Sequence, residues 1–255
     1  MDAGLGALVT RIMLVGSRVS AVMVFAPFLA SAAIAPRVKA GFAMVLTAVL
    51  YPVVETQLPP LSGLRAWQVV GGELVIGLIL GITLQFVFEG LELAGQIAGF
   101  QVGHSLANLI NPLSEAETSI LSNLYQAVAL LIFLQLDVHH WILRGLAKSF
   151  TYCPPGSVTA TPAVAREILR AAGGMLVVAV QIAVPVLLAT ILADVALGFV
   201  GKASPQLPVM FVGISVKSVV AFLVLVGGLR FWPGLLERRF GEALALSERL
   251  MHLAR

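Results

Sequence analysis

Charged residues are scarce in this sequence: they make up 11% of its 255 residues, against about 25% in typical soluble domains. Hydrophobic residues make up 59%, and the mean hydropathy is +0.98. A soluble domain would need far more polar residues to cover its surface. The composition therefore excludes an ordinary soluble domain and indicates a protein of the membrane type.

Aromatic residues, cysteines and basic runs are also few, and each scarcity excludes a class. Aromatic residues make up 7%, and segments that alternate apolar and polar residues are absent, which argues against an outer-membrane barrel. Cys153 is the only cysteine, so no disulfide can form within the chain. The formal charge is only +3, and no basic run is long enough to indicate nucleic-acid binding.

Catalytic and metal-binding patterns are missing as well. The chain has no GxSxG, HExxH or P-loop motif. Asp137-Val-His139-His140 contains metal-binding residue types, but its histidines are adjacent, and metal sites on helices usually space them three or four apart. We therefore predict no metal, no cofactor and no enzymatic activity.

The sequence does have six or seven long apolar segments. Four of them reach the roughly 20 residues that a bilayer span needs, and the others are shorter or more polar. Such segments are tolerated where protein or a water-filled cavity covers them. The pattern predicts an all-α protein of membrane-type helical hairpins, buried in an assembly or lining a conduit. The segments are Ile12–Ala35, Gly41–Val54, Trp67–Phe88, Leu91–Leu109, Ile120–Leu136, Met175–Val200 and Val209–Phe231.

Two sets of glycines recur every four residues, Gly77 with Gly81 and Gly95 with Gly99 and Gly103. On a helix this spacing makes a stripe without side chains, against which another backbone can pack closely. The partner can be another helix of the same chain or another subunit, and the spacing leaves both possibilities open.

Five ionisable residues lie in or near apolar segments: Arg18, Glu73, Asp194, Lys202 and Lys217. A charge at the centre of a membrane helix costs roughly 2.5–3.5 kcal/mol on insertion scales, so such residues are candidates for function or for pairing. Asp194 could pair with Lys202 or with Lys217. The alternative for Asp194 is a proton relay.

A polar loop follows the second glycine stripe and contains His104, Asn108, Asn111 and Pro112. Asparagine and proline here indicate a helix stop and a loop tip. The loop could be a solvated connection, or it could project into an aqueous path. A second break, near Pro154–Pro162, divides the chain into residues 1–155 and 156–255.

Together these pieces resemble the FliR family of flagellar type III export-gate proteins. The resemblance covers nearly the whole chain and is strongest between Pro185 and Lys217. Lys202 stands where an arginine is usual, Asn111-Pro112 replaces Asp-Pro, and Ser215 replaces a proline. The matching pieces are Val184-Pro185-Val186, Asp194-Val-Ala-Leu-Gly198, Ser204-Pro205-Gln206-Leu207 and Gly213-Ile-Ser-Val-Lys217.

The resemblance implies a fold that fuses a FliP-like part, residues 1–155, to a FliQ-like hairpin with a basic tail, residues 156–255. It implies a plug loop at about residues 103–117, on a conduit through which unfolded flagellar proteins cross the bacterial inner membrane. The implied partners are FliP, FliQ, FlhB and FlhA in the flagellar basal body, together with export substrates and membrane lipid, and no nucleic acid. Two alternatives remain: an SctT-type subunit of an injectisome, and a stand-alone secondary transporter with Asp194 as its ion site.

Overall fold

The regular structure of this protein is helical. The computed structural model describes residues 2–27, 34–55, 65–103, 120–159, 161–204, 206 and 209–254, and within these ranges no strand occurs. This confirms the all-α prediction. The described helices are α1 Asp2–Phe25, α2 Pro36–Val54, α3 Arg65–Val102, α4 Ile120–Gln135, α5 Val138–Tyr152, α6 Pro162–Ala203, α7 Val209–Gly228 and α8 Trp232–Leu253, with a 3₁₀ turn at Leu229–Phe231.

The chain folds into two compact units. Unit 1 contains Met1–Val87, Asp137–Ala172 and Arg239–Arg255, and unit 2 contains Phe88–Leu136 and Gly173–Arg238. Both units draw on separate parts of the sequence. The division at residue 155 concerns likeness to two other subunits, and it stays a prediction.

Unit 1 has a core of aliphatic and aromatic side chains. Leu14, Ile76, Leu80, Phe150 and Phe240 are fully buried. The C-terminal end of α8 is tied down by the loop before α6: the Thr159 amide donates to the Ala254 carbonyl oxygen at 2.7 Å, and the Thr161 hydroxyl donates to that of Leu253 at 3.0 Å. These bonds satisfy carbonyl groups that a helix end leaves without partners.

Unit 2 is built around the second half of α3. Leu91, Ala94, Ala98 and Val102 are fully buried along one face of that helix, because they recur at the three- and four-residue spacing of a helical stripe. Aromatic rings add specific contacts to this core. Phe88 meets Phe133 edge-on, with ring centroids 5.6 Å apart, and Tyr125 meets Trp232 in the same way at 5.0 Å.

The predicted division between Phe88 and Leu91 is wrong. Trp67–Phe88 and Leu91–Leu109 were predicted as separate segments, but α3 is one helix of 38 residues, Arg65–Val102, which contains the first segment and the second as far as Val102. Glu89 is a good helix former, and an interior glycine costs only about 1 kcal/mol, so Glu89-Gly90 does not end the helix. The helix α6, Pro162–Ala203, contains the predicted segment Met175–Val200, with Pro185 inside it.

The predicted basic tail, Arg230–Arg255, is largely the helix α8. Its apolar residues bury one face, including Leu236, Phe240 and Leu250, all with 0% exposure. Its arginines and glutamates occupy much of the remaining surface. The tail is therefore amphipathic and forms part of both cores.

Five helical stretches within the described residues are long and apolar enough to cross a membrane, or six if the broken pair α4–α5 forms one span. Large apolar side chains stay exposed on α6 and α7. Leu192 is 69% exposed and Phe199 72%. Apolar surface on this scale requires cover by lipid or by other proteins.

Candidate functional site

Arg18, on α1, is a fully buried charge of unit 1, with 0% exposure. Its Nε donates to Glu73 Oε2 of α3 at 2.6 Å. Its two terminal nitrogens donate to Ser149 Oγ of α5 at 3.0 Å and to the Cys153 carbonyl oxygen at 2.9 Å. The guanidinium lies over the Phe150 ring, 4.0 Å from its centroid. One side chain thus joins α1, α3 and the end of α5.

The charges of Arg18 and Glu73 are compensated by their contact with each other and not by solvent. Glu73 is fully buried too, and within the described residues its Oε1 accepts no hydrogen bond. The carboxylate therefore depends on Arg18. A guanidinium suits this position because its planar fork of donors can serve several acceptors at once.

The first glycine pair allows α3 to touch α1. A Cβ atom at Gly77 would lie 2.5 Å from the Ala21 Cβ and 2.6 Å from the Arg18 carbonyl oxygen. A Cβ atom at Gly81 would lie 2.5 Å from the Phe25 Cβ. Real Cβ atoms do not approach so closely. The neighbour of this pair is therefore another helix of the same chain, and the close contact sets the Arg18–Glu73 distance.

The second glycine stripe belongs to unit 2. A Cβ atom at Gly95 would lie 2.5 Å from the Ser122 Cα, so α4 packs directly on α3 there. Gly99 is also buried. Gly103 follows the end of α3 with a φ of 96°, a backbone conformation that glycine adopts freely. The glycine therefore ends the helix where the polar loop begins.

Asp194 and Lys217 form an ion pair in unit 2. Lys217 Nζ lies 3.0 Å from Asp194 Oδ1, and Gln101 Nε2 donates to Asp194 Oδ2 at 3.2 Å. The cluster joins α3, α6 and α7. The Asp194 side chain is 44% exposed and that of Lys217 17%. Of the two lysines that the sequence left open, Lys217 is the one in contact with Asp194, and Lys202 is exposed.

A third polar cluster was missed by sequence reasoning. Gln126 of α4 and Gln96 of α3 both donate to the Glu92 carboxylate, and Ser122 donates to the Glu92 carbonyl oxygen. Glu92 and Gln96 could have indicated this cluster from the sequence. They are four residues apart in an apolar helix, so they lie on the same face of it. Gln126 could not be assigned to the cluster from the sequence, because that requires knowing that α4 packs against α3 near Glu92.

Asp137, His139 and His140 come together at the start of α5. Asp137 has a φ of 54°, and its Oδ1 lies 3.7 Å from His139 Nε2 and 3.3 Å from His140 Nδ1. The left-handed residue brings the carboxylate back onto the imidazoles, which the spacing argument did not anticipate. One ligand atom from each of the three side chains lies within 4.8 Å of the other two, close enough for the group to hold a metal ion. His104, Asn108, Asn111 and Pro112 lie outside the described residues.

Comparison with known proteins shows the family of this chain. The family model for bacterial export proteins, family 1, matches residues 9–243. The chain belongs to this family. The matched range contains the glycine stripes, the Arg18 cluster and the Asp194–Lys217 pair.

Individual relatives cover most of the chain. It is 30% identical to the flagellar biosynthetic protein FliR of Bacillus subtilis strain 168, over 84% of each chain. It is 27% identical to FliR of Escherichia coli strain K12, over 90% of this chain and 88% of the relative. It is also 26% identical to the surface presentation of antigens protein SpaR of Salmonella typhimurium, over 82% and 79% of the two chains.

In this export-family protein, two substitutions of Asp194 are expected to weaken assembly to different extents. Asp194→Asn loses the charge but keeps hydrogen-bonding atoms, whereas Asp194→Leu loses both. We expect Asp194→Leu to lower the yield of any complex that covers this surface roughly fivefold, and Asp194→Asn less, since a partly exposed pair is worth about 1 kcal/mol at most. The measurement is the amount of complex recovered by size exclusion.

Exposed Lys202 provides the matched control, because Lys202→Gln removes a charge close by without breaking the pair. Equal losses for Asp194→Asn and Asp194→Leu would show that the charge matters and the hydrogen bonds do not. Full assembly of Asp194→Asn with loss of export would favour a proton relay over a structural pair.

Proposed function

We propose that this protein is a core subunit of the flagellar type III protein export gate. It would form part of the conduit through which unfolded flagellar proteins leave the cytoplasm. The observation that carries this proposal is the family match over residues 9–243, with relatives named flagellar biosynthetic protein FliR along most of their length.

The structure supports a role inside an assembly. Apolar side chains are exposed along α6, among them Leu188, Leu192 and Phe199, while Asp194 lies in the same stretch and is paired to only one cation among the described residues. Lipid would suit the apolar groups but not the carboxylate. Neighbouring subunits can cover both, so the surface suits protein cover better than lipid.

The mechanism of this proposal is gating rather than chemistry. The helix α3 packs on α4 at Gly95 and ends at Val102, and the proposed plug loop, at about residues 103–117, follows it in the sequence. A rigid helix with a loop at its end can hold the loop across a conduit or let it move aside. Catalytic side chains have no part in such a step.

The proposed partners are FliP and FliQ in one helical assembly, with FlhB and FlhA associated, in the inner membrane at the flagellar basal body. Unfolded export substrates would be transient partners. In this proposal residues 1–155 are the FliP-like part and residues 156–255 the FliQ-like part.

An injectisome role is the second candidate. The similarity to SpaR covers 82% of this chain at 26% identity, close to the values for the flagellar relatives. The flagellar role is preferred because the motifs between Pro185 and Lys217 follow the flagellar pattern. A stand-alone transporter has less support, since the sequence shows no paired repeat halves.

The test combines assembly with permeability. The full chain is co-expressed with FliP- and FliQ-like proteins and purified in mild detergent, with and without residues 104–111. We expect both forms to co-purify with the two partners. In cells, we expect the deletion to raise the uptake of a small membrane-impermeant dye about tenfold or more, because the conduit lacks its plug.

Each negative result has a separate meaning. A chain that purifies without either partner would contradict the gate role. A deletion variant that assembles and leaves dye uptake unchanged would contradict the plug, while the gate role would stand. An exposed-residue substitution outside the loop, Arg166→Gln, is the control for handling and expression.

A further inference from the structure

Asp137, His139 and His140 bring three metal-ligating side chains together within unit 1. Asp137 Oδ1 lies 3.3 Å from His140 Nδ1 and 3.7 Å from His139 Nε2. One ligand atom from each side chain lies within 4.8 Å of the other two. The sequence-based prediction of no metal depended on the spacing of the two histidines. The structure adds the position of the carboxylate, which completes a set of three possible ligands.

The Asp137 carboxylate does not cap α5. Asp137 directly precedes this helix, a position where aspartate usually accepts a hydrogen bond from an amide of the first turn. Its side chain makes no such bond to the described residues of α5. Its φ of 54° is left-handed, a conformation that aspartate adopts more readily than most residues. Since the carboxylate lies beside the two imidazoles instead, capping does not explain its position.

The distances between the side chains suit the coordination shell of a metal ion. Zinc binds imidazole nitrogen and carboxylate oxygen at about 2.0–2.2 Å, so neighbouring donor atoms in a tetrahedral site lie about 3.3–3.6 Å apart. The Asp137–His140 distance of 3.3 Å has this value, and the Asp137–His139 distance of 3.7 Å is slightly longer. Both imidazoles are partly exposed, so small side-chain rotations can complete the geometry.

A bound cation accounts for this arrangement better than two protonated histidines do. The imidazole rings of His139 and His140 lie with their centroids 4.2 Å apart. Two imidazolium ions at this distance would repel each other, and the single Asp137 carboxylate would have to balance both. A neutral imidazole has one ring nitrogen that can bind a metal. Two such nitrogens and the carboxylate can bind one divalent cation together.

Two nitrogen ligands and one oxygen ligand select the class of metal. Mg²⁺ and Ca²⁺ prefer oxygen ligands, whereas imidazole suits zinc and neighbouring transition metals. The Asp137 side chain is 67% exposed, so water can take the remaining coordination position. We propose that Asp137, His139 and His140 bind one Zn²⁺ ion, which ties the residue before α5 to the first turn of that helix. This site does not depend on the gate role, and each can fail without the other.

The first test measures zinc affinity by calorimetry. The full chain, with the subunits that accompany it and a purification tag free of histidine, is treated with a chelator, dialysed and titrated with Zn²⁺. We expect this chain to bind one Zn²⁺ with a Kd of about 10 μM or tighter. Asp137→Asn should weaken binding at least about tenfold, because asparagine tolerates the left-handed conformation but lacks the anionic ligand. His140→Gln should weaken it similarly.

Two controls accompany this titration. His252→Gln removes another exposed histidine, on α8, and should leave the affinity for zinc unchanged. Mg²⁺ at about 1 mM should not displace the zinc, because two of the three ligands are nitrogens.

The second test locates the ion without a substitution. Diethyl pyrocarbonate modifies accessible histidine nitrogens, and mass spectrometry of peptides measures the modification at each position. We expect saturating Zn²⁺ to lower modification of His139 and His140 about fivefold or more and to leave that of His252 unchanged. Amide hydrogen exchange should also slow at the start of α5, where the His140 amide donates to the Asp137 carbonyl oxygen at 2.9 Å.

Four outcomes would overturn the proposal. A wild type that binds no zinc would leave the three side chains as a cluster of ion pairs. Equal affinities of the wild type and Asp137→Asn would show that the carboxylate is not a ligand. Equal protection of His252 would show that zinc binds any exposed histidine of this chain. Displacement by Mg²⁺ would show that the site selects charge and not ligand type.

Discussion

Arg18→Leu is expected to lower the free energy of unfolding of this protein by about 3–5 kcal/mol, the range for removing one partner of a buried ion pair. The substitution leaves the fully buried Glu73 carboxylate without its counter-ion. It also leaves Ser149 Oγ and the Cys153 carbonyl oxygen without their arginine donor. The measurement is denaturant unfolding in detergent, followed by helical circular dichroism.

The matched control for this prediction is Arg11→Leu, on the same helix. Arg11 lies 3.8 Å from Glu55, and the two side chains are 34% and 48% exposed. Pairs of this kind contribute about 0–1 kcal/mol. Equal losses for Arg11→Leu and Arg18→Leu would show that burial of the Arg18–Glu73 pair has no energetic importance.

A double variant separates the pair from its surroundings. Arg18→Leu with Glu73→Leu removes both charges, so we expect it to be less destabilised than Arg18→Leu alone, because no uncompensated charge stays buried. A double variant less stable than the single one would contradict this account. It would show that the buried Glu73 side chain is stabilised by something other than Arg18, because both variants lack the contacts of Arg18 with Ser149 and Cys153.

Gly77→Ala is expected to destabilise unit 1 by about 2–3 kcal/mol, at the upper end of overpacking costs. The new methyl group would lie 2.6 Å from a backbone oxygen of α1, at Arg18, and a backbone atom cannot move aside as a side chain can. The shift would also disturb the Arg18–Glu73 contact. The melting temperature of the purified protein measures this effect.

Gly71→Ala is the control on the same helix. Nothing lies within 4 Å of its added Cβ, and alanine stabilises a helix interior over glycine by about 1 kcal/mol. We therefore expect Gly71→Ala to be neutral or slightly stabilising. Similar effects of the two substitutions would mean that α1 and α3 do not pack at the distance described.

Much of the fold class was predictable because it depends on composition. Few charges and long apolar segments predict membrane-type helices whatever their arrangement. Helix boundaries were less predictable: the division after Phe88 was wrong because one glutamate and one glycine do not outweigh the packing of a long helix. The groups around Arg18 were also out of reach, since Ser149 and Cys153 lie 131 and 135 residues along the chain.

The sequence by itself determined the helical class, the family motifs between Pro185 and Lys217, and the glycine spacings that allow a close neighbour. Only the tertiary structure decided which neighbour each one has. Gly77 and Gly81 meet α1, Gly95 meets α4, and Asp194 pairs with Lys217. The reason is physical: periodicity fixes which residues share a face of one helix, whereas the contact between two helices depends on how the whole chain packs.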